Sequence, residues 1–332
     1  MEYLDLEGTG IRVSRVGLGT WALGNWMWGG AGDDASMATI RHAIDNGITL
    51  IDTAPEYGRG HAEEIICRSL VGRRDEVVLA TKGGVVWDET GQLKPAAAPA
   101  ALERQVDASL RRLRTDRIDV YEVESIDPAT PVEKTAEAML RLFEAGKIRA
   151  IAVGELTPPQ IAAFRTVAPI HVMRSVYNLF ERDAERYALP YAARNGIATF
   201  THGALCRGLL SGLLSGPLDQ LIPTGADDVC RITSKRSGYG VFLGAVRGLE
   251  AFARERFAKR VAHLALRWVL DRPGAGVALW RARRPDQLNR ALEVFDFHLD
   301  AEALRDIDRM IYREARNLGE ADPFATPSSA AV

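Results

Sequence analysis

The chain has 332 residues, 47% of them hydrophobic, enough to bury a large core either as one barrel-sized domain or as two smaller ones. A formal net charge of −2 gives no electrostatic reason to expect nucleic acid or an anionic membrane as a partner. There is no run of about 18 uncharged apolar residues, and the N-terminus MEYLDLEGTG is acidic and polar, so neither a membrane helix nor a signal peptide is expected and the protein reads as soluble and cytoplasmic.

In chain order, YLDLEGTGIRVSRVGLG reads as a hairpin with Gly8 and Gly10 at its turn, placed to plug the bottom of whatever follows. The runs VGLGT (16–20), ITLIDT (48–53), EVVLATK (76–82) and RIDVYEV (117–123) then read as strands, followed by IRAIAVG (148–154), HVMRSVY (171–177), GIATFTH (196–202) and GVALW (276–280). Between them, ASMATIRHAIDNG, HAEEIICRSLVG, PAALERQVDASLRRLR and PVEKTAEAMLRLFEAGK carry apolar residues three and four apart, as amphipathic helices do. Several helices should stop on a glycine in the left-handed conformation, at Asn46-Gly47, Gly146 and Asn195-Gly196.

Strands alternating with helices imply right-handed βαβ crossovers and a parallel sheet. Eight such units predict a single (β/α)8 TIM barrel over 1–332, with long loops at its C-terminal face. An open dinucleotide-binding sheet is disfavoured, since no GxGxxG follows the first strand. Residues 215–240 show no clean periodicity and are expected to form an active-site loop, and 314–332 a partly disordered tail.

Barrel active sites lie at the C-terminal ends of the strands. Asp52 closes strand two, Tyr57 follows it, Lys82 closes strand three and Glu124 stands at the end of strand four. A lysine beside a tyrosine favours the phenolate and should lower the phenol pKa. An aspartate beside the lysine holds the ammonium in place, and a glutamate near that aspartate has a like-charge reason to keep its proton. The set reads as a proton-transfer device. Trp21, Trp26 and Trp28 follow strand one and, with Trp87, read as an apolar substrate wall. A metal is disfavoured by the positive charge of Lys82 and Arg174, and the widely spaced Cys67, Cys206 and Cys230 give no zinc pattern.

The stretches GITLIDTAPEYGRGHAEEI, VVLATKGG, AGKIRAIAVG, YALPYAARNGIATFTHGALCRGLLSG and RWVLDRPGAGVALWRARRPDQL resemble the aldo-keto reductase superfamily, in its bacterial and potassium-channel β-subunit-like branch. The resemblance covers nearly the whole chain. It implies a (β/α)8 barrel, NADPH-dependent carbonyl reduction, and a tetrad of which the aspartate, tyrosine and lysine carry over to Asp52, Tyr57 and Lys82. The fourth member, a histidine in the family, is Glu124 here, an exchange associated in the family with steroid double-bond reductases.

Other cofactor-facing positions of the pattern also differ. Gly154 and Glu155 stand for a Ser-Asn pair, Arg174 for a glutamine, His202 for an aromatic residue, Arg281 for a glycine and Ala291 for an asparagine. Glu155 and Arg174 are expected to pair where a nicotinamide carboxamide would sit. GALCRGLLSG keeps the pyrophosphate-loop pattern, and Arg281, Arg283 and Arg284 keep positive charge at the adenine end. On these replacements the favoured expectation is a cofactor-independent acid-base enzyme. It would dehydrate, isomerise, epimerise or cyclise a carbonyl or sugar-like small molecule, with Tyr57, Lys82, Asp52 and Glu124 moving protons. The alternative is an NADP(H)-dependent reductase of a ketone, aldehyde or conjugated double bond. A third reading is a non-catalytic barrel, against which the retention of Asp52, Tyr57 and Lys82 speaks. Oligomeric state is left open.

Overall fold

The computed structural model describes residues 1–24, 32–154, 156–212 and 239–317. Strands β1 (Tyr3–Leu6) and β2 (Ile11–Ser14) pair antiparallel, and Gly8 and Gly10 at their turn have φ of +76° and +67°, conformations that other residues rarely adopt.

All eight expected barrel strands are present, as β3 (Val16–Gly19), β4 (Leu50–Asp52), β5 (Val78–Trp87), β7 (Val120–Val123), β8 (Ile151–Val153), β9 (Val172–Val176), β10 (Ala198–His202) and β11 (Val277–Arg281). They pair in parallel in that order. The β3–β11 and β4–β5 pairings close the ring, giving the predicted (β/α)8 barrel. Helices Asp33–Asp45, His61–Ser69, Pro99–Leu113 and Val132–Glu144 fall on the four amphipathic stretches. Gly47, Gly146 and Gly196 take φ of +82°, +72° and +66°, as the left-handed stops require.

β5 runs on past Lys82 to Trp87 and folds back on β6 (Leu93–Ala96). The sequence reading ended this strand at Lys82. The hairpin depends on a local turn that periodicity does not reveal, in which the Asp88 carboxylate accepts from the backbone N–H groups of Thr90 and Gln92. The final helix, Ala301–Asn317, takes in the first four residues of the stretch expected as a tail, and helix Tyr239–Phe257 takes in the last two of the expected 215–240 loop. The remainder of both stretches lies outside the described residues.

Strand alternation sorts the side chains. Leu50, Ala80, Val120, Val172, Phe200 and Leu279 fill the barrel interior, and Leu6, Ile11 and Val13 of the hairpin join the same buried cluster, so the hairpin does plug the barrel. The Arg15 guanidinium, just after the hairpin, donates to the carbonyls of Leu270, Ala275 and Gly276 and to the Glu2 carboxylate, tying the N-terminal segment to helix Val261–Asp271 and to the loop that leads into β11.

Candidate active site

Two residues beyond the interior apolar layer, the same strand faces carry Asp52, Lys82, Glu122, Arg174, His202 and Arg281. The period of two therefore converts a dry floor into a charged upper layer within one residue pair. Parallel register puts Lys82 beside Glu122.

Lys82 is fully buried, and its ammonium donates to Tyr57 Oη at 2.6 Å and to the Thr53 carbonyl at 3.1 Å, with Asp52 Oδ2 at 3.8 Å. Because Oη accepts from the ammonium, the phenol's own O–H is left to point elsewhere. The nitrogen also lies 4.4 Å from the Tyr57 ring centre. Burial works against the charge on Lys82, but Asp52 and Tyr57 hold its pKa well above the ordinary lysine value. The expectation that Lys82 lowers the Tyr57 pKa is corrected. Burial pushes the phenol up by more than Lys82 pulls it down, with Asp52 adding to the rise, so Tyr57 is held as the protonated donor.

Asp52 is gripped from the far side of the barrel. Arg174 Nη1 donates to Oδ1 at 2.7 Å and Nη2 to Oδ2 at 3.0 Å, a bidentate pair that burial would disfavour for a lone carboxylate. Burial alone would raise the Asp52 pKa; Arg174 and then Lys82 overcome it and keep the group below its usual value. Arg174 Nη1 also reaches Glu122 Oε2 at 3.3 Å. Arg174 thus has carboxylate partners of its own, and Glu155, its expected partner, lies outside the described residues.

Glu124, expected at the end of the fourth barrel strand, lies just past it. β7 ends at Val123, the Glu124 N–H donates to the Gly83 carbonyl at 2.8 Å, and the side chain is exposed. Besides Asp52, the buried acids of this layer are Glu56 and Glu122, neither of which the sequence singles out. Burial pushes Glu56 up to about 8 against the pull of Lys82, and neighbouring Glu124 adds to the rise. Burial likewise raises Glu122 to about 7, opposed by Arg174 and Lys82. Glu56 Oε2 and Glu122 Oε1 have no hydrogen-bond partner among the described residues, as suits carboxyls able to keep a proton. The signal for Glu122 was present in the alternation, since it shares the phase of Val120; Glu56 sits in a turn that no periodicity marks.

The backbone at the tip of β8 leaves room only for glycine. A Cβ on Gly154 would lie 2.5 Å from the Glu124 carbonyl oxygen, so the ends of β7 and β8 approach more closely than any side chain allows. Gly154→Ser is expected to cost about 1–3 kcal/mol of stability by forcing these tips apart, read as a shift in the urea midpoint.

Beside this cluster a cavity of about 520 Å³ runs from Trp21, Val176 and His202 along Gly203–Leu205 and Gly208 to Arg281, Arg283, Gln287 and Arg290. Trp21 stacks on Tyr57 with ring centres 6.3 Å apart, and Arg281 lies 4.3 Å over Trp21, which joins the cavity to the Lys82–Tyr57 pair. His202 Nδ1 lies 3.1 Å from the Ser175 carbonyl, an acceptor only, so that nitrogen carries the ring proton and Nε2 keeps its lone pair. Burial, then Arg174 and Arg281, press the His202 pKa down to about 3, and the ring is neutral at pH 7. Trp87 stands apart from this cavity, under Arg59 at 5.1 Å. Arg284 pairs with Asp286 on the surface. Ala291 is buried in the core, while Trp26 and Trp28 lie outside the described residues.

The cavity suits an elongated anion. Three arginines face one glutamate along it, and Gly203 and Gly208, with φ of +80° and +97°, carry the backbone through turns where a side chain would be strained. The described helices include none long and apolar enough to cross a membrane.

The comparisons with known proteins show the family to which this barrel belongs. The model of the Aldo/keto reductase family matches residues 15–311, and the chain belongs to that family. The chain is 46% identical over 315 residues to aldo-keto reductase YhdN of Bacillus subtilis (strain 168), covering 94% of each. Among solved structures it is similar to the glycerol dehydrogenase AKR11B4 from Gluconobacter oxydans, at 37% identity and a TM-score of 0.88 over 98% of this chain and 99% of that one. It is also similar to an aldo/keto reductase from Klebsiella pneumoniae in complex with NADP and acetate, at 28% identity and a TM-score of 0.72 over 92% and 93%. These findings overturn the favoured non-redox expectation and the expectation of no cofactor. Relatives that align over almost their full length are reductases and dehydrogenases, and a solved neighbour holds NADP.

Proposed function

We propose that the protein is an NADP(H)-dependent oxidoreductase that interconverts small carbonyl compounds and their alcohols. The observation that carries this reading is the 2.6 Å Lys82–Tyr57 hydrogen bond at the edge of an arginine-lined groove. Arg281, Arg283 and Arg290 would hold the phosphates and Gly203–Gly208 would let the backbone approach them. The dinucleotide, when bound, supplies or takes up the hydride.

The chain's own groups manage the proton. Lys82 donates to Tyr57 Oη, so the phenol O–H is directed at the substrate oxygen, where charge develops as the carbonyl is reduced. As Tyr57 gives up its proton, the fixed ammonium stabilises the phenolate at hydrogen-bond distance. Asp52 and Arg174 keep the lysine in place. In the oxidative direction the same phenolate accepts the alcohol proton. Glu124 stands where the family pattern has a histidine, and we assign the orienting contact on the substrate oxygen to the Glu56–Glu124 pair, with Glu56 protonated at neutral pH. Trp21 forms one apolar wall. A small polyol or hydroxy-carbonyl substrate is the class this reading favours, in line with the glycerol dehydrogenase it resembles.

A fluorescence titration with NADPH, followed by turnover of short aldehydes and ketones, tests the reading; no binding at millimolar nucleotide would sink it. Arg283→Ala and Arg290→Ala are each expected to weaken NADPH binding about tenfold or more, the loss of one charge-assisted hydrogen bond, with a smaller effect on NADH.

A further inference from the structure

Arg174 and Glu122 lie under the Tyr57–Lys82 pair and touch neither the groove nor, on the reading above, the substrate oxygen. Their geometry is nevertheless built. Arg174 is buried, holds Asp52 by both oxygens at 2.7 and 3.0 Å, and spends a third contact on Glu122 at 3.3 Å. Glu122 is buried with one oxygen unpartnered among the described residues. Both Asp52 oxygens are occupied by Arg174, so Lys82 stands 3.8 Å from Asp52 and places its short bonds on Tyr57 and the Thr53 carbonyl.

We infer that Arg174 and Glu122 form a proton-linked positioning pair, in which Arg174 fixes Asp52 and the protonation state of Glu122 sets how much positive charge the layer presents to Tyr57. With Asp52 ionised and Lys82 and Arg174 both charged, a neutral Glu122 leaves the buried layer at a net +1 and an ionised Glu122 leaves it at zero. The +1 state stabilises the phenolate that remains after proton donation, so it speeds the reductive direction. The groups that face Glu122 are Arg174 from β9, Lys82 from β5, Asp52 from β4 and Glu124 just past the end of β7, while β8 places the uncharged Ala152 beside it. Burial with this surrounding charge brings its titration to about 7.

This inference deepens the reductase reading and rests on it for its kinetic consequence, but one arm of its test does not need turnover. Difference infrared spectra of the full-length protein from about pH 5 to about pH 9 are expected to show protonated-carboxyl intensity lost in two components in the wild type, and Glu122→Gln should remove the component that titrates near 7 and leave that of Glu56 near 8. In Arg174→Gln, which removes the cationic partner, the Glu122 component should persist to higher pH; Arg174→Lys, which keeps the charge, should return it toward the wild-type position. In carbonyl reduction, wild-type kcat should begin to fall above about pH 7 while KM stays flat, and Glu122→Gln should move the start of that fall up toward about 8, where Glu56 loses its proton. Arg174→Gln should lower kcat about tenfold or more, with partial rescue by Arg174→Lys. No component lost in Glu122→Gln, or a Glu122→Gln profile whose fall starts where that of the wild type does, would overturn the inference and leave Glu122 a structural partner of Arg174. A protein that shows the Glu122 component and its Arg174 dependence but neither binds NADPH nor turns over would contradict the reductase reading while supporting the Arg174–Glu122 coupling.

Discussion

Tyr57→Phe is expected to lower kcat for carbonyl reduction by roughly a hundred- to ten-thousand-fold while leaving NADPH affinity within a small factor of the wild type. The substitution removes only Oη, the atom that Lys82 holds at 2.6 Å. The ring's stacking on Trp21 survives, so the groove next to it keeps its wall. Steady-state kinetics together with a nucleotide titration separate the two effects. A Phe variant that keeps more than a tenth of wild-type kcat would remove Tyr57 from the chemistry, and parallel loss of NADPH binding would make its role architectural.

Asp52→Asn is expected to be the most damaging change to the fold within the site. The carboxylate is buried against two cations, Arg174 by two bonds and Lys82 at 3.8 Å, and its removal leaves both charges under-compensated in a dry layer. Breaking a buried pair by deleting one partner costs about 3–5 kcal/mol, visible as a drop in the chemical denaturation midpoint and in Tm. The pH dependence gives a second check. The folded pKa of Asp52 is depressed, so its contribution is present above the ordinary aspartate value and is lost as pH falls through the depressed one. Asn removes that acid limb. Glu122 works in the opposite sense. Its folded value is raised to about 7, so the stability it contributes is full below the ordinary glutamate value and fades as pH rises through 7. Glu122→Gln should therefore flatten the neutral side of the stability profile and leave the acid side alone.

The frame of the molecule was legible because both of its periods are strong. Eight short apolar runs separated by amphipathic stretches leave few alternatives to a closed parallel barrel, and each run holds a strand. DTAPEYG and the lysine of VVLATKGG gave Asp52, Tyr57 and Lys82, and these three do converge. What the sequence concealed is which acid is inside. Glu122 and Glu124 share one phase of the same strand, and only the place where β7 stops, at Val123, decides that the first is enclosed and the second exposed. Strand ends are where local patterns are weakest, because register with the neighbouring strands sets them. Glu56 was missed for a related reason, lying in a turn whose shape depends on contact with the segment after β3. A Cβ at Gly58, where φ is +63°, would meet the Gly24 carbonyl at 2.1 Å. The direction of the Tyr57 shift is hidden from the sequence because burial, which no spacing of residues reveals, outweighs the pull of Lys82.

The contacts of Arg15 have a consequence for how the chain comes into being. Arg15 and Gly276, which it binds, are 261 residues apart, and β3 finds one of its two ring neighbours only in β11. During synthesis the first strands emerge long before that partner exists, and the apolar face of the hairpin, Leu6, Ile11 and Val13, has no finished floor to seal until the last strand arrives. The barrel is therefore a ring whose clasp closes only after β11 has been made, and a nascent chain stalled before β11 is a candidate client for chaperones.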